Sequence, residues 1–285
     1  MDGKIIDLYD AYRGGIMTRR VFLGRLGMLT GGAAATGLLP LLEQSHAHAG
    51  MIPMDDPRLQ TGYIIYPGGT GDISASMARL KGGEKLPGVI VIHENRGLNA
   101  HIKDVTRRIA LAGYLVIAPD ALSPLGGTPG DPDKARTMIR QLDSQKTTDN
   151  YVAAVQYLKT HPFSTGKVGC VGFCWGGGVA NQMAVHAPDL TAAVPFYGIQ
   201  PASEDVPRIR ASLLLHYAGL DNRINKGIAA FEGALKRASI DYRMYMYEGA
   251  KHAFFNDTNA SRYHREAAQR AWLRTIAFLK EKLKT

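Results

Sequence analysis

Cysteine is scarce in this chain, with only Cys170 and Cys174 among 285 residues. That rules out a disulfide-stapled scaffold, and the spacing disfavours even one bridge. Four residues of mostly extended chain hold the Cα atoms beyond the limit of about 7 Å for a disulfide. The two are read as free thiols, one packing and one reactive. Charge runs are missing too. The net charge is +9, but no run of five lysines or arginines occurs. Scattered charge argues against nucleic-acid binding and fits a basic surface with, at most, a small anionic ligand. No stretch of about 20 strongly apolar residues is present, so no membrane span is expected. HENRG, residues 93–97, opens like a zinc helix, but H-E-x-x-H needs histidine at 97, which is Gly97. The glycines fit neither G-x-G-x-x-G nor a Walker loop, so the reading holds no metal, nucleotide or other cofactor.

The first 49 residues stand apart. Thr18-Arg19-Arg20-Val21-Phe22-Leu23 matches the twin-arginine export pattern, and a weakly apolar, Gly/Ala-rich run follows. Ala47-His48-Ala49 then makes a small-x-small cleavage signal ahead of Gly50. Residues 1–49 are read as a twin-arginine signal peptide and residues 50–285 as one domain. The expected partner of the leader is the twin-arginine export machinery, and the expected location is periplasmic or secreted. No cysteine follows the run to carry a lipid, so no stable membrane anchor is expected after cleavage. Met17 is an alternative start. The route moves folded proteins, which lets a buried thiol precede its exposure to an oxidising compartment.

From about residue 58, apolar runs alternate with amphipathic segments, the βαβ pattern of a parallel sheet under helices. The strands expected are TGYIIYP, DISASMARL, PGVIVIH, YLVIAPD, KVGCVG, LTAAVPFYG, ASLLLHYAG and YRMYMYEG. Several are near-continuous β-branched or aromatic runs, as strands buried on both faces require. Helical spacing falls near 101–112, 132–143, 147–160, 175–187, 224–238 and 261–283. The fold expected is α/β, a mostly parallel central sheet of about eight strands with helices on both faces. The Pro/Gly-rich segment 121–133 is expected to wrap the active-site edge.

Four chemically capable residues share one structural address. Glu94, Cys174, Asp221 and His252 each follow a strand, and loops leaving the carboxyl ends of parallel strands lie along one edge. Their order of nucleophile, acid and histidine is that of an α/β-hydrolase. Gly172-Phe173-Cys174-Trp175-Gly176 has the nucleophile-elbow pattern with cysteine at its centre. Glycines at 172 and 176 permit close strand–helix approach, and the Trp175 amide can face a developing oxyanion. The plainer readings are a helix-start turn with a buried thiol, a solvated loop histidine and a turn or cap aspartate. His101, His161, His186 and His264 fall on helices or loops with no matching acid; His93 and His216 read as core or pocket-wall residues.

GFCWGGG, GLDNRIN, GAKHAFFND and IHENRGLN together resemble the dienelactone hydrolase family of α/β-hydrolases, in particular its exported branch. The resemblance spans essentially all of residues 58–283. It implies Cys174 as nucleophile, Asp221 and His252 as triad partners, and Glu94 as the acid that holds the resting thiol. It also implies the backbone amides of Trp175 and Asn95 as the oxyanion hole. Arg96, Tyr197, Phe254 and Asn256 become candidates for contacting substrate. The chain departs from the family at one position: the best-known members carry arginine four residues after the histidine, where this chain has Asn256. Arg96 and Arg140 are the alternatives for that charge.

The activity expected is hydrolysis of a small activated ester or enol lactone through a thioester. A thiolate leaves more readily than an alkoxide, so an ordinary ester would expel Cys174 and revert; an enol lactone expels a stabilised enolate instead. A thiol acyltransferase or peptidase on the same fold, and a non-catalytic small-ligand binder, are the competing readings. The sequence does not decide an oligomeric state.

Overall fold

In the computed structural model the described residues are 8, 11–12, 17–30 and 51–284. Helix α1 (Arg19–Thr30) carries the paired arginines, both exposed, while Phe22 and Leu26 are buried. The cleavage signal at 47–49 lies outside the described residues. Among them, no helix is long and apolar enough to cross a membrane.

The eight expected strands all form. They are β1 (Leu59–Gly68), β2 (Gly71–Leu80), β3 (Leu86–Ile92), β4 (Leu115–Pro119), β5 (Ser164–Phe173), β6 (Ala192–Phe196), β7 (Ser212–Ala218) and β8 (Tyr242–Tyr247). They make one sheet in the order β1-β2-β4-β3-β5-β6-β7-β8. The parallel part begins only at β3. β1 and β2 form an antiparallel hairpin closed at Gly68 and Gly71, and β2 meets β4 antiparallel. All later pairings are parallel.

The helices of this body are α2 (Ala100–Leu111), α3 (Pro132–Ile139), α4 (Ser144–Thr160), α5 (Trp175–His186), α6 (Asn222–Asn225), α7 (Ile228–Arg237) and α8 (Arg265–Leu283). Strand side chains alternate between two cores because successive residues point to opposite faces. Ile90, Ile92, Leu115, Ile117, Val168 and Cys170 face α3, α4, α5 and α7. Val89, Val91, Val116, Ala118, Val171 and Phe173 face α2 and α8. The helical pattern read across 224–238 is two helices, separated at Lys226-Gly227, with Gly227 heading α7. The pattern at 132–143 stops at Ile139, and the one at 261–283 starts at Arg265.

The chain lays β4 on one side of β3 and then returns to place β5 on the other. Strand order thus reverses between β3 and β5, and their carboxyl ends border the crevice where open α/β sheets bind ligands. Glu94 follows β3 and Cys174 follows β5, so both border it.

A buried ionic cluster pins the loop after β8 onto α2. Asp104 is fully buried, and Arg108 lies 2.5 Å from it and 2.6 Å from Asp257. His101 meets the other Asp257 oxygen at 3.2 Å. His101 therefore has an acid partner, contrary to the sequence reading, because the loop folds back over a helix 156 residues away in the chain. Burial would raise the Asp257 pKa, but His101 and Arg108 hold it down at about 2. Arg108→Met removes the guanidinium shared by Asp104 and Asp257, leaving Arg107 and His101 as their remaining partners, and should destabilise the fold by about 2 kcal/mol or more, read by urea unfolding. Loss of under about 0.5 kcal/mol would show that the cluster does not hold the loop.

Candidate active site

The turn from β5 into α5 is set by backbone contact. A Cβ at Gly172 would sit 2.0 Å from the Gly176 carbonyl oxygen, and one at Gly176 would sit 2.4 Å from the His93 carbonyl oxygen. Only hydrogen fits at either point, so β5, α5 and the end of β3 touch through their backbones. Cys174 between them takes φ 56°, ψ −115°, a strained conformation for a residue with a side chain, and its amide donates to Phe196. Such conformations cost on the order of 1–3 kcal/mol and persist only where the surroundings enforce them. Of the four described non-glycine residues with positive φ, three are Cys174, Tyr197 and Ala253. Strain is therefore concentrated around one point.

That point joins three elements. His252, in the loop after β8, places Nε2 3.0 Å from Cys174 Sγ. Its Nδ1 bonds to the Asp221 carboxylate. Asp221 stands at the N-cap position of α6 but does not cap it with its side chain. The carboxylate is turned to the imidazole instead, which separates this aspartate from an ordinary helix cap. Burial disfavours a charged His252, but the bonds to Asp221 and Cys174 outweigh it and raise the pKa to about 9. Burial likewise would raise the Asp221 pKa, and the contacts with His252 lower it. Tyr197, fully buried after β6, presents its ring edge-on to His252 at 5.0 Å between centroids.

Glu94 and Asn95 open the turn after β3. His93 donates from Nδ1 to the Glu94 carbonyl at 2.7 Å and accepts at Nε2 from the Ala121 amide at 3.1 Å. These partners fix a neutral ring with its proton on Nδ1, and burial lowers its pKa further. The ring stacks on Trp175 at 5.3 Å, coupling the turn to the first residue of α5. The Trp175 amide, at the first helical position, has no intrahelical acceptor. The contact of Gly176 with the end of β3 sets the Asn95 turn beside it.

The Glu94 carboxyl is buried but makes no hydrogen bond to the sulfur. Its Oε2 accepts from Asn256 Nδ2 at 2.7 Å, and Oε1 has no hydrogen-bond partner among the described residues. Asn256 is oriented by Thr258, whose amide and hydroxyl donate to Oδ1 at 3.1 and 2.7 Å. Sequence reasoning assigned Asn256 to substrate and missed this role; Asn-Asp-Thr, a pattern prone to side-chain-to-backbone turns, was the available signal.

A cleft of about 820 Å³ opens beside this group, lined by Arg96, Lys103, Thr128, Asn256, Asn259 and neighbours. Its walls include two cations and no carboxylate, although none of the Cys174, His252 and Asp221 side chains lines it. The 121–133 segment does form one wall, held by Thr128, which donates to Asp120 and receives the Leu98 amide. Arg96 and Asn256 line the cleft. Phe254 and Tyr197 do not. Phe254 is wholly buried, with Tyr247, Tyr197 and Phe196 around it, because the loop turns its apolar side to the core. Arg140 is exposed at the end of α3 and is absent from the cleft lining. Among the described residues, no group of three or more His, Cys, Asp or Glu is placed to hold a metal.

The family model described as the dienelactone hydrolase family matches residues 73–283. A provisionally named carboxymethylenebutenolidase of Saccharolobus solfataricus is 33% identical over 230 residues, covering 67% of this chain and 88% of that protein. One of Escherichia coli is 30% identical over 247 residues, covering 81% and 90%. The crystal structure of a provisionally named dienelactone hydrolase from Klebsiella pneumoniae superposes with TM-score 0.71 at 28% identity, covering 78% and 99%.

The pKa shift at His252 makes a signed prediction. A raised value means that the stabilisation from the charged ring is complete below the ordinary histidine value of about 6.5. It is lost as pH climbs through about 9. Asp221→Asn should move His252 titration down by at least about one unit, followed by ring-proton NMR. A variant still titrating at about 9 would show that Asp221 is not the cause.

Proposed function

The chain belongs to the dienelactone hydrolase family and is a hydrolase of that kind, and from this premise we propose that it cleaves activated carboxylic esters and enol lactones by way of a thioester on Cys174. The observation that carries the reading is the continuous chain of contact from sulfur to imidazole to carboxylate. His252 takes the thiol proton at Nε2, and the charged ring is held by Asp221. The sulfur attacks the carbonyl carbon; a C–S bond forms and the carbonyl electrons move to oxygen. The amides of Trp175 and Asn95 receive that oxyanion, each such donor being worth about 3–4 kcal/mol of barrier.

Collapse of the intermediate breaks the C–O bond, and His252 returns its proton to the departing oxygen. Water, deprotonated by His252, then attacks the thioester and releases the acid and Cys174. The preference for activated esters follows from leaving-group competition. Sulfur departs in preference to an alkoxide, but not in preference to a stabilised enolate. Substrate reaches the sulfur from the side of the Arg96–Lys103 cleft, whose cations favour polar or anionic acyl groups.

We also propose that residues 1–49 direct twin-arginine export and that residues 50–285 work in the periplasm or outside the cell. Arg19 and Arg20 are exposed on α1, where a receptor can read them. Replacing both by lysine should leave the protein in the cytoplasmic fraction on immunoblotting; unchanged export would overturn this assignment.

Cys174→Ser should lower kcat/KM on enol esters by about a hundredfold or more, and acid-quenched parent enzyme should carry an acyl mass on the Cys174 peptide. A serine variant as active as the parent, or an acyl group on another residue, would overturn the scheme.

A further inference from the structure

The proposed scheme needs the sulfur free to meet His252, yet a buried carboxyl stands in the neighbouring turn. Glu94 follows β3, the strand next to β5 in the sheet, and the backbone at the end of β3 touches α5 at Gly176. A carboxyl so placed can compete with His252 for the thiol by accepting its S–H bond, which keeps the proton on sulfur. In the structure it does not: the sulfur bonds to His252, and Glu94 is turned to Asn256. The tether is a single bond. Oε2 accepts from Asn256, and Oε1 has no partner among the described residues. Asn256 is in turn unable to flip its amide, because Thr258 donates to its Oδ1 from both the backbone and the hydroxyl. The loop carrying them is fixed by Asp257, bonded to Arg108 and His101.

We propose that Asn256 is a positioning residue that parks Glu94 off the sulfur, so that Cys174 and His252 are paired before any substrate arrives. This rests on the reading of Cys174 as the nucleophile and adds how its resting state is set. A neutral amide can do this without pulling charge onto Glu94, whereas a cation at 256 would bind the carboxylate and also attract any anionic substrate. Arming the thiol here requires no substrate charge, so uncharged activated esters should be turned over without an anionic group to trigger them. The Asn256 amide bonds to Glu94, and the buried Tyr197 hydroxyl lies close enough to feel the charges of both Glu94 and Cys174.

The test is the rate of Cys174 alkylation by iodoacetamide without substrate, followed by intact mass across pH 5.5–8.5. Cys170 is fully buried and does not contribute. The parent should alkylate faster than a free cysteine peptide near pH 6.5. Asn256→Leu should slow this about tenfold, the effect of losing the one hydrogen bond that holds Glu94 aside, and shift the profile to higher pH. Adding Glu94→Gln, whose neutral amide accepts the S–H bond less strongly than a carboxylate, should return the rate to within about threefold of the parent. Thr258→Val, a gentler change that leaves the Asn256 side chain in place, should slow alkylation in the same direction if Asn256→Leu fails to fold. The proposal is overturned by an unchanged rate in Asn256→Leu, or by the same slowing with or without Glu94→Gln, which would mean general damage. A parent thiol no faster than the peptide overturns it too. Ester turnover plays no part in the measurement, so inactive esters would sink the reaction scheme while leaving this result standing.

Discussion

The site depends on a steric constraint before it depends on any charge. Three backbones meet where β5 runs into α5, at distances that admit a hydrogen and no carbon. That contact fixes the strained φ of Cys174 and brings the end of β3 against α5, whose first amides have no intrahelical acceptors. Every polar feature of the site hangs on a strand end whose place is decided by this contact. The fold supplies it by reversing strand order between β3 and β5, so one crevice receives both the elbow and the Glu94 turn.

Electrostatics then sorts groups that would otherwise behave alike. His93 and His216 are as buried as side chains can be, and burial lowers the pKa of both. Their ring nitrogens are occupied by Ala121, Glu94, Tyr247 and Thr275, none of which brings a negative charge to the ring. His252 differs in having a carboxylate on one nitrogen and sulfur on the other, which reverses the direction of its shift. The same sorting operates behind the loop. Asp104 and Asp257 are stable there because Arg108 serves both, and the loop they anchor carries His252 and Asn256.

Strand identities were legible in the sequence because the central strands are buried on both faces and read as unbroken apolar runs. The antiparallel hairpin at the edge was not, since β1 and β2 share that vocabulary and only pairing reveals direction. The break at Gly227 was hidden by apolar residues that keep helical spacing across it. Cys174, Asp221 and His252 could be placed at one edge because each lies in the segment leaving the carboxyl end of a strand, and those ends share an edge by topology. Side-chain direction within a loop carries no such signal. Phe254 turns inward, His101 finds its acid far along the chain, and Asn256 spends its amide on Glu94.

The two thiols show how little the residue type decides. Cys170 and Cys174 are four positions apart, at the start and the end of one stretch of chain. The first points into the apolar layer under α4 and α5, where burial pushes its pKa up to about 12 and leaves it a packing atom. The second stands where the strand has ended, partly open, with a protonatable ring 3.0 Å away. Shifting the elbow by one residue would exchange a turn for a strand face and lose the contact of the sulfur with His252. The difference between the two thiols belongs to their positions, and the second position is held by glycines that do no chemistry of their own.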